Sequence, residues 1–137
     1  MKKEHQIIIE LISNYLRAHP DQRFGQVLFN LGVNYFGKTT DPRNPNRIIQ
    51  DIHGDSDESI INRIQGQLDW FDLQTRVSKG LERVDDLDEM TVDEKLDASG
   101  LREIFEKKMK TEKRYAKYIL KSLKVDKKLI AQILELD

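Results

Sequence analysis

Two short stretches of this sequence carry residue types that could perform phosphate or metal chemistry. Residues 32–39, Gly-Val-Asn-Tyr-Phe-Gly-Lys-Thr, satisfy the pattern G-x-x-x-x-G-K-[ST], in which backbone N–H groups and a lysine hold nucleotide phosphates. That chemistry needs a strand before the loop and a helix after it, whereas residues 24–31 have helical periodicity and Pro42 follows closely. Bulky Tyr35 and Phe36 also occupy positions where a phosphate would approach the backbone. We therefore predict a connecting loop rather than a nucleotide site.

The second stretch, residues 51–55 (Asp-Ile-His-Gly-Asp), resembles the first metal motif of the calcineurin-type metallophosphoesterases, and the resemblance implies metal ligation by Asp51 and His53. A two-metal centre of that kind needs further G-D-x-x-D-R-G and G-N-H-E motifs, which this sequence lacks. A calcium loop is disfavoured as well, because the acids at 51–58 do not follow the order D-x-[DN]-x-[DN]-G. We predict no metal, no cofactor and no catalytic residue, and assign these acids to the start of a helix.

The composition excludes several further classes of protein. The 137 residues suit one domain of ordinary size, and the lack of cysteine removes disulfides, thiolate metal sites and cysteine nucleophiles. No apolar run approaches the roughly 18–20 residues that span a bilayer, and the first residues show no secretory cleavage site. We expect a cytoplasmic protein with no membrane association.

Hydrophobic periodicity predicts an all-α fold. Apolar residues at helical spacing mark a helix over 5–18, a second over 24–31 with Asp21 as its N-cap, and a third over 60–71 whose spacing continues to Leu81. The apolar segment at 48–52 is either one helical turn or a short strand. An α+β fold with one short β ribbon is therefore the alternative.

The second half of the sequence carries clear capping signals. Residues 91–94 fit a capping box, and Gly100 is placed to end the helix that follows. A long helix is expected over 101–123, although polar residues at 110–114 interrupt its apolar stripe. Asp126 is placed to cap a short terminal helix.

Charge is distributed unevenly along the chain. The net charge of −1 is the balance of +3 over residues 1–50, −9 over 51–100 and +5 over 101–137. We accordingly predict a helical core domain at 1–73, an acidic connector at 74–100 and a basic helical arm at 101–137. The arm is expected to pack on the core or on a neighbouring subunit.

The basic arm contains cations that could contact nucleic-acid phosphates or a protein partner. These residues are Lys110, Lys113, Arg114, Lys117 and Lys121. The favoured interpretation is a solvated helix that the acids at 82–97 partly neutralise, with phosphate binding as the alternative.

Residues 19–31, His-Pro-Asp-Gln-Arg-Phe-Gly-Gln-Val-Leu-Phe-Asn-Leu, are similar to a helix in a family of small, uncharacterised bacterial and phage-type proteins. The pattern of that helix is P-D-x-R-F-G-Q-L-L-x-N, and the likeness extends over residues 15–65. The resemblance implies a bacterial or mobile-element origin and brings no established activity.

A polar cluster is predicted where this helix meets the acidic turn at 55–58. Arg23 is expected to pair with Asp21 or with a carboxylate of that turn, in preference to binding an anion. Gly25 predicts a close backbone approach, since glycine in a helix costs about 1 kcal/mol relative to alanine. The residues assigned to this structural or partner-binding cluster are Asp21, Arg23, Gln26, Asp55 and Asp57.

The leading functional hypothesis is a non-enzymatic helical protein–protein interaction or accessory protein, because no catalytic motif has its required context. Its partner is then an unidentified protein, and a homo-oligomer stays open. A nucleic-acid-binding protein that uses the basic arm is the first alternative. A small metal-dependent hydrolase is the second.

Overall fold

The computed structural model describes residues 1–37, 43, 48–50 and 52–135 of the chain. Within these residues, seven α-helices and one pair of short strands form an all-α fold, which confirms the predicted class. The chain divides into two compact units, Met1–Phe71 and Asp72–Asp137. The residues assigned from sequence to an acidic connector and to a basic arm both belong to the second unit. No helix in the described part of the chain has the length and apolar character needed to cross a membrane.

The first unit buries the apolar stripes of three helices. They are α1 (Lys3–Ala18), α2 (Phe24–Asn30) and the first part of α3 (Asp57–Glu82). The buried residues of this core are Tyr15, Val27, Leu31, Val33, Ile60 and Ile64. Full burial of an aliphatic side chain contributes about 1.5–3 kcal/mol, so these contacts account for much of the stability of the unit.

A short ribbon lies between α2 and α3 in the sequence. Strand β1 (Tyr35–Gly37) pairs antiparallel with β2 (Ile48–Gln50), with Phe36 opposite Ile49. A 3₁₀ turn at Ile52–Gly54 follows. In the ambiguous segment, residues 48–50 are therefore a strand, and Ile52 begins the turn.

The start of α2 differs from the prediction. Arg23, rather than Asp21, is the N-cap residue, and its backbone N–H donates to Oε1 of Gln26 at 3.0 Å. Asp21 lies in a turn that the N–H of Gln22 closes on the carbonyl of His19, so its side chain comes too early to cap the helix. The assignment of Asp21 as the cap is therefore wrong.

Arg63 on α3 links three neighbouring parts of the first unit. Its Nε donates to the carbonyl of Gly32 at 2.9 Å, just after α2, and its Nη2 pairs with Oδ2 of Asp55 at 3.0 Å. Nη1 donates to Oγ of Ser59, and the guanidinium carbon lies 4.9 Å from the centre of the Tyr35 ring. One side chain thus ties the end of α2, strand β1 and the start of α3 together.

The second unit contains the remainder of α3 and four shorter helices. These are α4 (Val92–Ser99), α5 (Arg102–Thr111), α6 (Lys113–Ser122) and α7 (Lys127–Ile133). The capping box is confirmed, because Oγ1 of Thr91 accepts from the N–H of Glu94 at 3.2 Å. Gly100 ends α4 in the left-handed conformation, with φ at 73°, and Asp126 caps α7 as predicted.

The expectation of one continuous helix over 101–123 is wrong. Glu112 has an extended backbone, with φ at −142° and ψ at 90°, and it separates α5 from α6. Residues 110–114 are all exposed, so no buried side chain holds this stretch in a straight helix. The break lets α6 turn back and pack against α5, which one straight helix could not do.

Two glycines in helices differ in how much space surrounds their Cα atoms. A Cβ on Gly25 would meet nothing within 4 Å, so the predicted close approach inside the chain is wrong. A Cβ on Gly80 of α3 would lie 2.7 Å from the carbonyl oxygen of Ser99 and 3.2 Å from Cγ of Leu101. Among the helical glycines that the structure describes, the close backbone contact lies at Gly80, where α3 meets the end of α4.

Gly80→Ala should lower the free energy of unfolding by about 1–3 kcal/mol, because the new methyl group overlaps a backbone oxygen. Gly66→Ala in the same helix is the matched control, since a Cβ there meets nothing within 4 Å. That control should raise the free energy of unfolding by about 0.5–1 kcal/mol through helix propensity. Urea unfolding followed by circular dichroism measures both, and equal effects would contradict close packing at Gly80.

Arg63→Met should lower the free energy of unfolding by about 1.5–3 kcal/mol, because Asp55 and the carbonyl of Gly32 lose a charged hydrogen-bond donor. Arg23→Met removes an exposed arginine that has no ion pair in the described residues, and its effect should stay within about 0.5 kcal/mol. Chemical denaturation measures the free energy of unfolding of both variants. A similar loss in each would mean that the contacts of Arg63 carry no special stabilisation.

Candidate functional site

The main excess of positive charge lies at residues 107–128, which we call the basic segment. It contains ten lysines and arginines and two acids, Glu112 and Asp126. Both acids have local roles: Oε2 of Glu112 lies 3.4 Å from Nε of Arg114, and Asp126 accepts the N–H of Lys128 at the start of α7. The carboxylates of the segment therefore leave most of its positive charge uncompensated.

Helix α6 places its charged and apolar residues on opposite sides. The buried side consists of Tyr115, Ala116, Ile119 and Leu120. Arg114, Lys117 and Lys121 are spaced by three and four residues, so they share the solvent-facing side. By the rise of an α-helix, these three cations extend over about 10 Å.

Lys110 and Lys113, the other two cations predicted to contact a partner, lie on either side of the break. Lys110 is exposed in the last turn of α5. Nζ of Lys113 donates to the carbonyl of Leu134 at 3.1 Å, just after α7. Lys113 thus joins the start of α6 to the end of α7 and has a structural role.

The acidic stretch at 82–97 meets one basic residue of the C-terminal helices within the described part of the chain. Nη2 of Arg102 lies 3.0 Å from Oδ1 of Asp93, and Nε of Arg102 pairs with Asp97. The hydrogen bond from Arg102 lowers the pKa of Asp97, and the bonds to Asp97 and then Asp93 raise the pKa of Arg102. Arg102 precedes the basic segment, so this pairing leaves the charges of the segment in place.

None of the nine lysines of the basic segment has a carboxylate within ion-pair distance among the residues that the structure describes. Lys108 lies over the ring of Tyr115 and Lys113 bonds to the carbonyl of Leu134, which leaves seven lysines with neither kind of contact. They are Lys107, Lys110, Lys117, Lys121, Lys124, Lys127 and Lys128. Lys117 is half-buried and the other six are exposed. These ammonium groups are therefore available to an anion from outside the chain.

Lys95 is a structural residue that the sequence reasoning missed. It is 7% exposed, and its Nζ donates at 3.2 Å to the carbonyl of Lys124 in the turn between α6 and α7. Lys124 has a left-handed backbone, with φ at 59°, which this hydrogen bond helps to hold. The one available signal was that Lys95 is the single cation in the otherwise acidic sequence from 84 to 101.

The polar cluster predicted at the start of α3 is divided between separate contacts. Asp55 pairs with Arg63, whereas Oδ2 of Asp57 lies 3.0 Å from Nε2 of His5 on α1. His5 and Asp57 are both partly exposed to solvent, and ion pairs in such positions contribute about 0–1 kcal/mol.

Arg23 does not make the bridge expected of it. Its backbone N–H bonds to Gln26, and neither Arg23 nor Asp21 has an ion pair among the described residues. The predicted pairing is therefore wrong for the described residues, and Asp55 of the turn pairs with Arg63 instead. The five residues of the predicted cluster therefore do not form one site.

The two catalytic patterns do not form a described site either. Residues 32–37 follow α2 and enter β1, so a helix rather than a strand precedes the loop. Lys38 and Thr39, which complete the phosphate-loop pattern, and Asp51 of the metal motif lie outside the described residues. His53 lies exposed in the 3₁₀ turn. In the described ranges, no group of three or more His, Asp or Glu side chains is arranged to hold a metal ion.

A shallow concave surface of the first unit combines carboxamides with an aromatic ring. It is lined by Gln22, Gly25, Gln26, Phe29, Asn30 and Asn34. The ring of Phe36 packs on Phe29 with centroids 5.1 Å apart, and Phe24 and Phe36 are 60% and 58% exposed. Phe24 and Phe36 are thus open to solvent, whereas Phe105 and Tyr115 of the second unit are each 7% exposed.

Comparison with known proteins does not assign the chain to a family. No family model matches it, and no curated protein or solved structure is significantly similar. The resemblance of residues 15–65 to bacterial and phage-type proteins therefore stays a prediction.

Arg102→Gln should raise the pKa of Asp97 toward its ordinary value, because the hydrogen bond from Arg102 is the largest cause of its lowering. Since the folded-state pKa is lowered, the pairing stabilises the fold at neutral pH, and this contribution disappears as the pH falls through the pKa of Asp97. Carboxyl-detected NMR titration measures the shift. Arg76→Gln, which removes the partner of Asp72, should leave Asp97 unchanged, and the same midpoint in Arg102→Gln and wild type would refute the pairing.

Proposed function

We propose that this chain is a non-enzymatic binding protein whose second unit contacts nucleic-acid phosphates through the basic segment. The observation that carries this proposal is the set of seven lysines that have no ion pair, ring contact or internal hydrogen bond of the ammonium group among the described residues. Contact between a lysine and a phosphate releases condensed counterions, which is the main source of affinity in sequence-independent binding. The proposal requires no catalytic group and no cofactor.

The spacing of these lysines favours nucleic acid over an acidic protein surface. Lys117 and Lys121 lie one turn apart on α6, and Lys124, Lys127 and Lys128 continue the positive charge through the next turn and helix. A protein partner would need carboxylates placed to match this particular arrangement, whereas a phosphate backbone offers charges at every step. A cytoplasmic location, as expected from the sequence, would give the surface access to nucleic acid.

A protein-binding role for the first unit is a second candidate, and one observation favours it. Gly25 lies on an exposed part of α2 with open space above it, although alanine would suit a helix better. A partner that approaches the backbone there would explain the glycine, and exposed Phe24 and Phe36 would supply apolar contacts. The likeness of this helix to bacterial and phage-type proteins supports an accessory role of mobile-element origin.

Lys117→Gln combined with Lys121→Gln should weaken binding to a mixed-sequence oligonucleotide and make it less dependent on salt. Each lost phosphate contact removes about 0.7–0.9 from the slope of log affinity against log salt, so the slope should become shallower by about 1.4–1.8. Fluorescence anisotropy at several salt concentrations measures this slope. Circular dichroism checks that the variant is folded.

Lys2→Gln combined with Lys3→Gln is the control, because it removes the same charge from exposed positions at the start of the first unit. Its affinity and salt slope should equal those of the wild type. Wild-type protein that fails to bind at low salt would overturn the proposed function. Equal weakening by the two double variants would show that net charge, and not the basic segment, is responsible.

A further inference from the structure

Resting on this proposed function, we infer that the basic segment binds the backbone of double-stranded nucleic acid and offers no place for an unpaired base. The groups that bear on this preference are the aromatic rings of the C-terminal helices. Proteins that bind single strands combine positive charge with open rings on which bases stack, and each stacked base contributes about 1–3 kcal/mol. The exposure of these rings therefore indicates whether single-stranded or double-stranded nucleic acid fits better.

The aromatic rings near the unpaired lysines are largely covered by other parts of the protein. Phe105 and Tyr115 are each 7% exposed. The ring of Tyr115 is further covered by Lys108 and Arg114, whose cationic groups lie 5.1 Å and 4.9 Å from its centroid. Tyr118 is half-buried and already engaged in a contact of the fold. The rings of Phe105 and Tyr115 therefore have no open face for a base, and the ring of Tyr118 is only partly exposed.

Without stacking, the attraction of the lysines for phosphate decides the preference. Duplex DNA carries about one charge per 1.7 Å of its axis, and each contact contributes about 0.9 to the salt slope, against about 0.7 for a single strand. The higher charge density of a duplex therefore favours it over a single strand.

The same side chains carry little information about base sequence. Helix α6 contains no Asn, Gln, Asp or Glu, the side chains that pair with adenine or cytosine edges. Arg114 is the residue best suited to guanine, but its guanidinium already contacts Glu112 and the ring of Tyr115. Lysine contacts with phosphate position a protein without reading sequence, so different duplexes should bind alike.

The test is a set of anisotropy titrations of the full chain with labelled duplex DNA, duplex RNA and the separated strands of each. At the same salt concentration, we expect duplexes to bind at least about tenfold more tightly than single strands, and two unrelated duplex sequences to bind equally. Lys117→Gln with Lys121→Gln should reduce the duplex salt slope by about 1.8. Tyr118→Leu should leave single-strand affinity unchanged, because no base stacks on that ring.

Each outcome separates this inference from the function on which it rests. Tighter binding of duplex DNA or duplex RNA than of their separated strands supports the inference. Comparison of the two duplexes then shows whether DNA or RNA is preferred. Equal or tighter binding of single strands, or a loss of about tenfold in single-strand affinity in Tyr118→Leu, would overturn the inference while the proposed function stands. No binding to any nucleic acid at low salt would overturn both.

Discussion

The burial of one side of α6 is the constraint on which the candidate site depends. This helix carries four cations and no acid in ten residues, so repulsion between charges three and four residues apart opposes its formation. Burial of Ala116, Ile119 and Leu120 supplies the stabilisation that helix propensity and charge pairing do not. Because those residues must face inward, the cations of the same helix are directed to solvent.

The distribution of ion pairs follows from local geometry rather than from the blocks of charge in the sequence. Asp93 and Asp97 lie one turn apart on α4, and the left-handed turn at Gly100 brings Arg102 back onto both of them. One arginine thereby satisfies two acids, whereas the lysines beyond residue 106 find no carboxylate in the described part of the chain. Adjacent acidic and basic stretches predict mutual neutralisation, but an ion pair also needs side chains that can reach each other.

The helix caps of the second unit were predictable from a few neighbouring residues, whereas the cap of α2 was not. Features that depend on distant contacts were not predictable either. Three of the predicted helix ends depend on local patterns of only a few residues, and all three are confirmed: the cap at Thr91, the helix end at Gly100 and the cap at Asp126. Arg63 binds the carbonyl of a residue thirty-one positions away in the sequence. The break at Glu112 separates α5 from α6, and these two helices contact each other. Periodicity within one segment carries no information about either. For the candidate site, the sequence likewise identified the cations but not which of them lack a partner.

Two lysines of the second unit form hydrogen bonds that hold the backbone around α7 in place. Lys95 holds the carbonyl of Lys124 in the turn before α7, and Lys113 holds the carbonyl of Leu134 after it. These contacts fix both ends of α7 relative to the rest of the second unit, so the unpaired lysines of α6 and α7 are carried on an ordered backbone. A ligand that binds there needs to order only the lysine side chains and not the chain that bears them, which lowers the entropic cost of association.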